Sequence, residues 1–322
     1  MVTAKTLVQY QTVADTEQQT LLSAKRIFDT PTARPFGAFE QESILATQNL
    51  SIRSGGDIFL SAIAKAQLGT LSVDALGTVT VAGSVPGNVT DGTTVAATAE
   101  LLTPDALSIH AGGAIVLAES SFLGGGHGAS GADNAARDIS ITGGGKVTLQ
   151  GKVFSSTQVA VGGATDVEVK GTIIAGSHLE VKAGQSAAKL GSIAGDIWGD
   201  LRSGGEIVIT AGAAGGDIIL PQTSLSAAGD VTLTAAAGTV AHSEGLLAAL
   251  VLAATARDGV TANALVQSLD VLVTGAGNIE IDNAGSVMLT RLDAANGSIV
   301  IRALGAITAL DVINRGDSDA ND

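Results

Sequence analysis

The chain has 322 residues, 45% hydrophobic yet only 2% aromatic, with 42 glycines, 5 prolines and no cysteine. Its formal net charge of −14 argues against a nucleic-acid partner, because that affinity rests on clustered Lys and Arg. The lack of cysteine excludes disulfides and thiol chemistry, and no apolar run reaches the roughly eighteen residues of a membrane-spanning helix.

Residues 1–46 carry Tyr10, Phe28, Phe36, Phe39, Pro31 and Pro35, and residues 16–28 have the pattern of a short amphipathic helix. The segment lacks the apolar core of a signal peptide. It is expected to cap or link the repeat region, in an internal piece of a longer exported protein. A repeat begins with Leu50, Ile52, Ile58 and Leu60, and returns with Leu71, Val73, Val79 and Val81. Residues 86–106 break its phase, Leu107, Ile109, Ile115 and Leu117 restore it, and 124–138 form a second break.

Residues 139–198 hold three rows in register. Ile139, Val159 and Leu179 open the rows, and Ile141, Val161 and Val181 come two places on. Val147, Val167 and Ala187 share a column, as do Gly151, Gly171 and Gly191, and then Val153, Ile173 and Ile193. Apolar and polar residues alternate within each row, the mark of a strand with one buried face. Three short strands per row, held in a fixed phase, coil rather than form hairpins, since one row cannot bury its own apolar face.

The expected fold is therefore all-β: a single-stranded, right-handed parallel β-helix with coils of about twenty residues and a few loop insertions. A narrow core filled by Val, Ile, Leu and Ala explains the shortage of aromatics. After Trp198 the phase slips and is carried on by 206–220 and 229–240. Residues 243–262 read as either a helix or another apolar strand pair, so 241–266 counts as a third break. The coil resumes at 270–281, 286–290 and 298–307 before a polar tail. The expected division is a capping or linking segment 1–46, a β-helix 47–312 and a flexible acidic tail 313–322.

The rows LSIRSGGDIFL, LSIHAGGAIVL, ISITGGGKVTL and LSAAGDVTLTAAAGTV resemble the repeats of filamentous-haemagglutinin-type adhesins and related giant bacterial surface proteins. The resemblance covers roughly 47–312 and lies in texture rather than in unique motifs. It implies a fibre-like β-helix, secreted and displayed at the bacterial cell surface. The family's amino-terminal secretion module, with its Asn-Pro-Asn motifs, is not in this sequence.

The sharpest short motif is Arg315-Gly316-Asp317, a tripeptide by which some adhesins engage integrins, so these three residues are the expected partner-binding positions. Gly126-His127-Gly128 resembles an element of polygalacturonase-type β-helix hydrolases, but the paired carboxylates such chemistry needs are missing. The stretch from Gly125 to Ser130 nearly matches a calcium-binding nonapeptide, with Ser130 where the liganding Asp belongs. Asp317, Asp319 and Asn321 space oxygens at alternate positions without the glycine and distal Glu of an EF-hand. His242 stands beside Ser243 and Glu244, though adjacency in sequence does not make a triad.

The expected function is a structural or adhesive stalk that presents loops or distant domains. Its expected partners are a host or neighbouring-cell surface, or other copies of the fibre, with no cofactor, no metal and no catalysis. The alternative is a polysaccharide-acting enzyme or carbohydrate-binding module on the same fold. A third class, binding of ice or mineral through outward Thr ladders, is weakened by Ser140, Ala160 and Glu180 sharing one outward column. Without aromatic anchors on the coil faces, 86–106, 124–138 and 241–266 are the expected contact regions, together with the tail.

Overall fold

The structure is a computed structural model that describes residues 9–10, 43–60, 63–83, 99–124, 136–184, 188–190, 199–212, 216–221 and 223–316. Every regular element among them is a strand. Among the described residues no helix is long and apolar enough to cross a membrane.

The strands form three parallel ladders that run the length of a β-helix. The first ladder stacks Leu50, Leu71, Leu107, Ile139, Val159, Leu179, Ile207, Val231, Leu252 and Leu269. The second begins Ile58, Val79, Ile115, Val147, Val167 and ends at Ile299, the eleventh residue of its column. The third runs through Ile44, Ala64, Leu101, Leu123, Val153, Ile173, Leu201, Leu225 and Leu247. Parallel rungs lie ~4.8 Å apart, so about eleven coils make a stack of roughly 50 Å.

Alternation sets which side chains turn inward. Leu71–Ala75 buries Leu71, Val73 and Ala75 and leaves Ser72 and Asp74 half-exposed. The inward residues of the three ladders merge into one continuous aliphatic core without an aromatic side chain. Because β-branched residues hold one rotamer, Val and Ile stack on their equivalents one coil on without strain.

Corners are tight where one coil lies on the next. A β-carbon at Gly171 would run into the carbonyl oxygen of Gly151, so this position admits nothing larger than glycine. A polar device recurs at other corners. Asp57, Asp217 and Asn278 each stand one residue before a second-ladder strand, and each accepts a backbone N–H from the next coil. The donors are Thr78 at 2.7 Å, Thr239 at 2.8 Å and Ser298 at 2.9 Å. Corner amides with no partner in their own coil are satisfied in this way.

Several sequence expectations are corrected. Val167 pairs with Ala188 rather than Ala187, and Ile173 with Leu201 rather than Ile193. The third central row is therefore not twenty residues long, and its register changes before Trp198. The stretch from Gly184 to Ala188 offers no bulky apolar marker to fix the phase. The first break is narrower than 86–106, because Ala99–Leu102 is an ordinary third-ladder strand. Likewise Gly124 ends one strand and Ala136–Gly143 forms another, which leaves 125–135 between them. Residues 241–266 are no break: Leu247–Ala248, Val251–Ala256 and Val260–Leu265 take their places in the ladders. The coil also begins earlier than residue 47, since Ser43–Ala46 pairs in parallel with Ile63–Ala66. Val312–Asn314 is still a strand, paired with Leu292–Ala294.

Candidate functional site

Of the tripeptide, the structure describes Arg315 and Gly316, and Asp317 lies outside the described residues. Arg315 comes directly after the last strand, its amide donating to the Ala294 carbonyl at 2.8 Å. Its guanidinium forks onto Asp293, Nε to Oδ1 at 2.7 Å and Nη2 to Oδ2 at 2.6 Å. The Asp293 side chain is only 10% exposed. Hydrogen bonds from Arg315 hold its carboxyl below the ordinary carboxylate range, and partial desolvation opposes them. This bidentate geometry commits the arginine to its own chain and ties the last strand to the coil before it.

His242 falls on an inward position of the second ladder, where Leu220 precedes it and Ala262 comes after. It is fully buried; its Nε2 meets the Thr223 carbonyl at 2.9 Å, and its Nδ1 accepts the Asn263 amide at 3.4 Å. That arrangement suits the neutral ring with its proton on Nε2. Burial pushes the imidazole below its ordinary value, against the Thr223 bond, which favours the charged form. Ser243 and Glu244 point outward, exposed. With both ring nitrogens bonded to backbone, His242 is a core residue and not a general base. Asn283 plays a similar part in the third ladder. Buried, it accepts the Val266 amide at 2.9 Å and donates to the Val266 carbonyl at 3.2 Å and the Gly285 carbonyl at 3.1 Å.

The outer faces carry features that the sequence did not disclose. Phe122 and Phe154 both turn outward from the third ladder, and their rings meet edge to face, 5.4 Å between centroids at 72°. Gly124 makes room for this, because a β-carbon there would lie 2.7 Å from the Phe122 ring. The pair lies where the chain enters 125–135, so the coil faces are not without aromatics. Nearby on the second ladder, Glu168 accepts Lys146 at 2.5 Å and Lys170 at 2.8 Å. Burial raises its carboxyl, but the two lysines together prevail and hold it below its ordinary value. On the first ladder Ser51, Ser72, Ser108 and Ser140 stack in one outward column. Farther on, Thr210, Thr234 and Thr255 form another.

Among the described residues no three His, Asp or Glu gather where they would hold a metal ion. His127, the nonapeptide-like stretch, Trp198 and the acidic residues after Gly316 lie outside them. No family model, curated protein or solved structure matches this chain.

Proposed function

We propose that this chain is a stalk segment of a large extracellular bacterial surface protein of the filamentous-haemagglutinin type, whose coils act as a stiff spacer. The observation that carries this reading is the unbroken stack of three ladders through about eleven coils. Each sequence insertion is accommodated at a corner, and the register resumes beyond it, as from Val79–Val81 to Ala99–Leu102. A stack of this kind transmits position along its axis while its corners present loops outward. The contacts are expected through 84–98 and 125–135, and the partner is a host or neighbouring cell surface or other copies of the fibre. The tail tripeptide is the weaker contact, since Arg315 is already held by Asp293. Catalysis forms no part of this reading.

A carbohydrate-binding module is the second reading, and the outward Phe122–Phe154 pair favours it, because sugar sites stack rings on aromatic side chains. An antibody raised against the segment tests the first: it should label intact source cells. Labelling only after the cells are permeabilised would overturn the surface assignment. Binding to a glycan array that is lost on Phe154→Ala would favour the second.

A further inference from the structure

The outward side of the third ladder carries two columns around the aromatic pair. One runs Glu100, Phe122, Lys152, Thr172 and Asp200. The other runs Phe154, Ile174 and Arg202. The Phe122 ring leans across Gly124 to meet Phe154. An apolar strip of Phe122, Phe154 and Ile174, all half-buried, therefore lies beside Lys152 and Thr172. Lys152 is exposed. It comes directly after Phe122 in its column and two residues before Phe154 on its strand, so it neighbours both phenylalanines on the outer face. Its charge is unanswered. Lys146, Lys170, Lys182 and Arg202 are each paired with a carboxylate, but among the described residues no carboxylate pairs with Lys152. Asp200, two rungs on in the same column, is held by Arg202, and Glu100 lies two rungs back, beyond Phe122.

We propose that this face binds an acidic polysaccharide, with a sugar ring laid against Phe122 and Phe154 and a carboxylate of the same polymer on the Lys152 ammonium. The proposal rests on the second reading above, a carbohydrate-binding module, and names the class of sugar. Aromatic side chains take the apolar C–H face of a pyranose ring. A neutral glycan would use the two rings and leave the ammonium unanswered. A uronic acid engages both, because its carboxylate accepts a charge-assisted hydrogen bond from Lys152. The Thr172 hydroxyl, next after Lys152 in the column, adds a group that can donate to or accept from sugar hydroxyls. Phe122, then Lys152 and Phe154, then Thr172 and Ile174 stand on three successive coils, ~4.8 Å apart. An extended polymer lying along the stack axis crosses all three, where a single sugar would not. The net charge of −14 opposes a polyanion at long range, but at physiological ionic strength charges beyond about 8 Å are screened, so the local contacts decide.

The experiment compares polygalacturonate with its fully methyl-esterified form, the same sugar chain without its charge, each immobilised and titrated with the full-length protein. Polygalacturonate should bind about tenfold more tightly. Lys152→Gln should erase that preference and Lys152→Arg should keep it. Phe154→Ala should weaken binding to both forms, and every variant should keep the parent circular dichroism spectrum. Lys182→Gln, at an exposed lysine of the first ladder, should change nothing. Equal binding of the two forms, or a preference that survives Lys152→Gln, overturns the assignment to an acidic sugar and leaves the carbohydrate reading in place. A preference lost equally with Lys182→Gln overturns it too, because the attraction would then belong to no particular site. Binding to neither form overturns both the proposal and the reading on which it rests.

Discussion

Val231 and Thr232 are neighbours on one first-ladder strand and face opposite ways. Val231 is fully buried between Ile207 and Leu252, and Thr232 is half-exposed between Val208 and Ala253. Val231→Asp removes a buried aliphatic side chain, a loss of about 1.5–3 kcal/mol. It also places a carboxyl group among aliphatic neighbours, at roughly 2–7 kcal/mol for an unbonded polar group. Together these reach at least about 3.5 kcal/mol, a large share of a domain's stability. The group limits the loss by staying protonated, so its folded pKa lies above the unfolded value. The deficit is therefore greatest at neutral pH and shrinks as pH falls towards the unfolded carboxyl value of about 3.9. Thr232→Asp leaves the core untouched and meets no charged neighbour in its column, so its cost stays within about 1 kcal/mol. Urea unfolding followed by circular dichroism, at neutral and mildly acidic pH, measures both. Equal losses from the two variants, or a deficit in Val231→Asp that does not change with pH, would refute the inward assignment.

Four other positions give separate tests. His242 is held neutral by burial, its folded pKa below the ordinary value; its contribution is complete above about pH 6.5 and is lost as pH falls through the folded value. His242→Leu should remove that slope from urea midpoints while lowering stability at pH 7, and an unchanged slope would count against a buried neutral ring. Gly245 has φ +98° and faces the Thr223 carbonyl, so Gly245→Ala should lose about 1–2 kcal/mol. Gly56→Ala meets nothing within 4 Å and should be neutral or stabilising by up to about 1 kcal/mol. Arg315→Ala should speed hydrogen exchange in Val312–Asn314 and leave the central coils unchanged, because the Asp293 fork ties only the last strand down.

The central coils were legible because Ile139, Val159 and Leu179 repeat at a fixed interval and alternate with polar residues. Legibility failed where the apolar marker shrank. Alanine-rich stretches such as 251–256 resemble a helix in composition, and only their pairing with Val231–Ala235 shows them to be strand. The inward place of His242 had a signal: aligning 218–220 with 240–242 puts the histidine in a leucine column. Adjacency to Ser243 and Glu244 drew attention to catalysis instead. The Phe122–Phe154 pair was hidden because 125–135 separates two residues that meet only once the coil closes. The corner device was also present in the sequence, as Asp57, Asp217 and Asn278 each precede an isoleucine, but which amide each side chain accepts depends on the coil above.

The central claim is that the sequence winds into rungs of constant rise, and distances along one outward column test it most directly. Ser72, Ser108, Ser140, Ala160, Glu180, Val208 and Thr232 stack in register on the first ladder. Spin labels introduced through Ser140→Cys and Thr232→Cys span four rungs and should lie about 19 Å apart. Labels through Ser72→Cys and Thr232→Cys span six and should lie about 29 Å apart. Dilute samples keep the measurement within one copy. Distances that grow by ~4.8 Å per rung, whatever the number of residues between the labels, are what a parallel β-helix predicts; distances that track sequence separation, or do not grow with rung number, would contradict it.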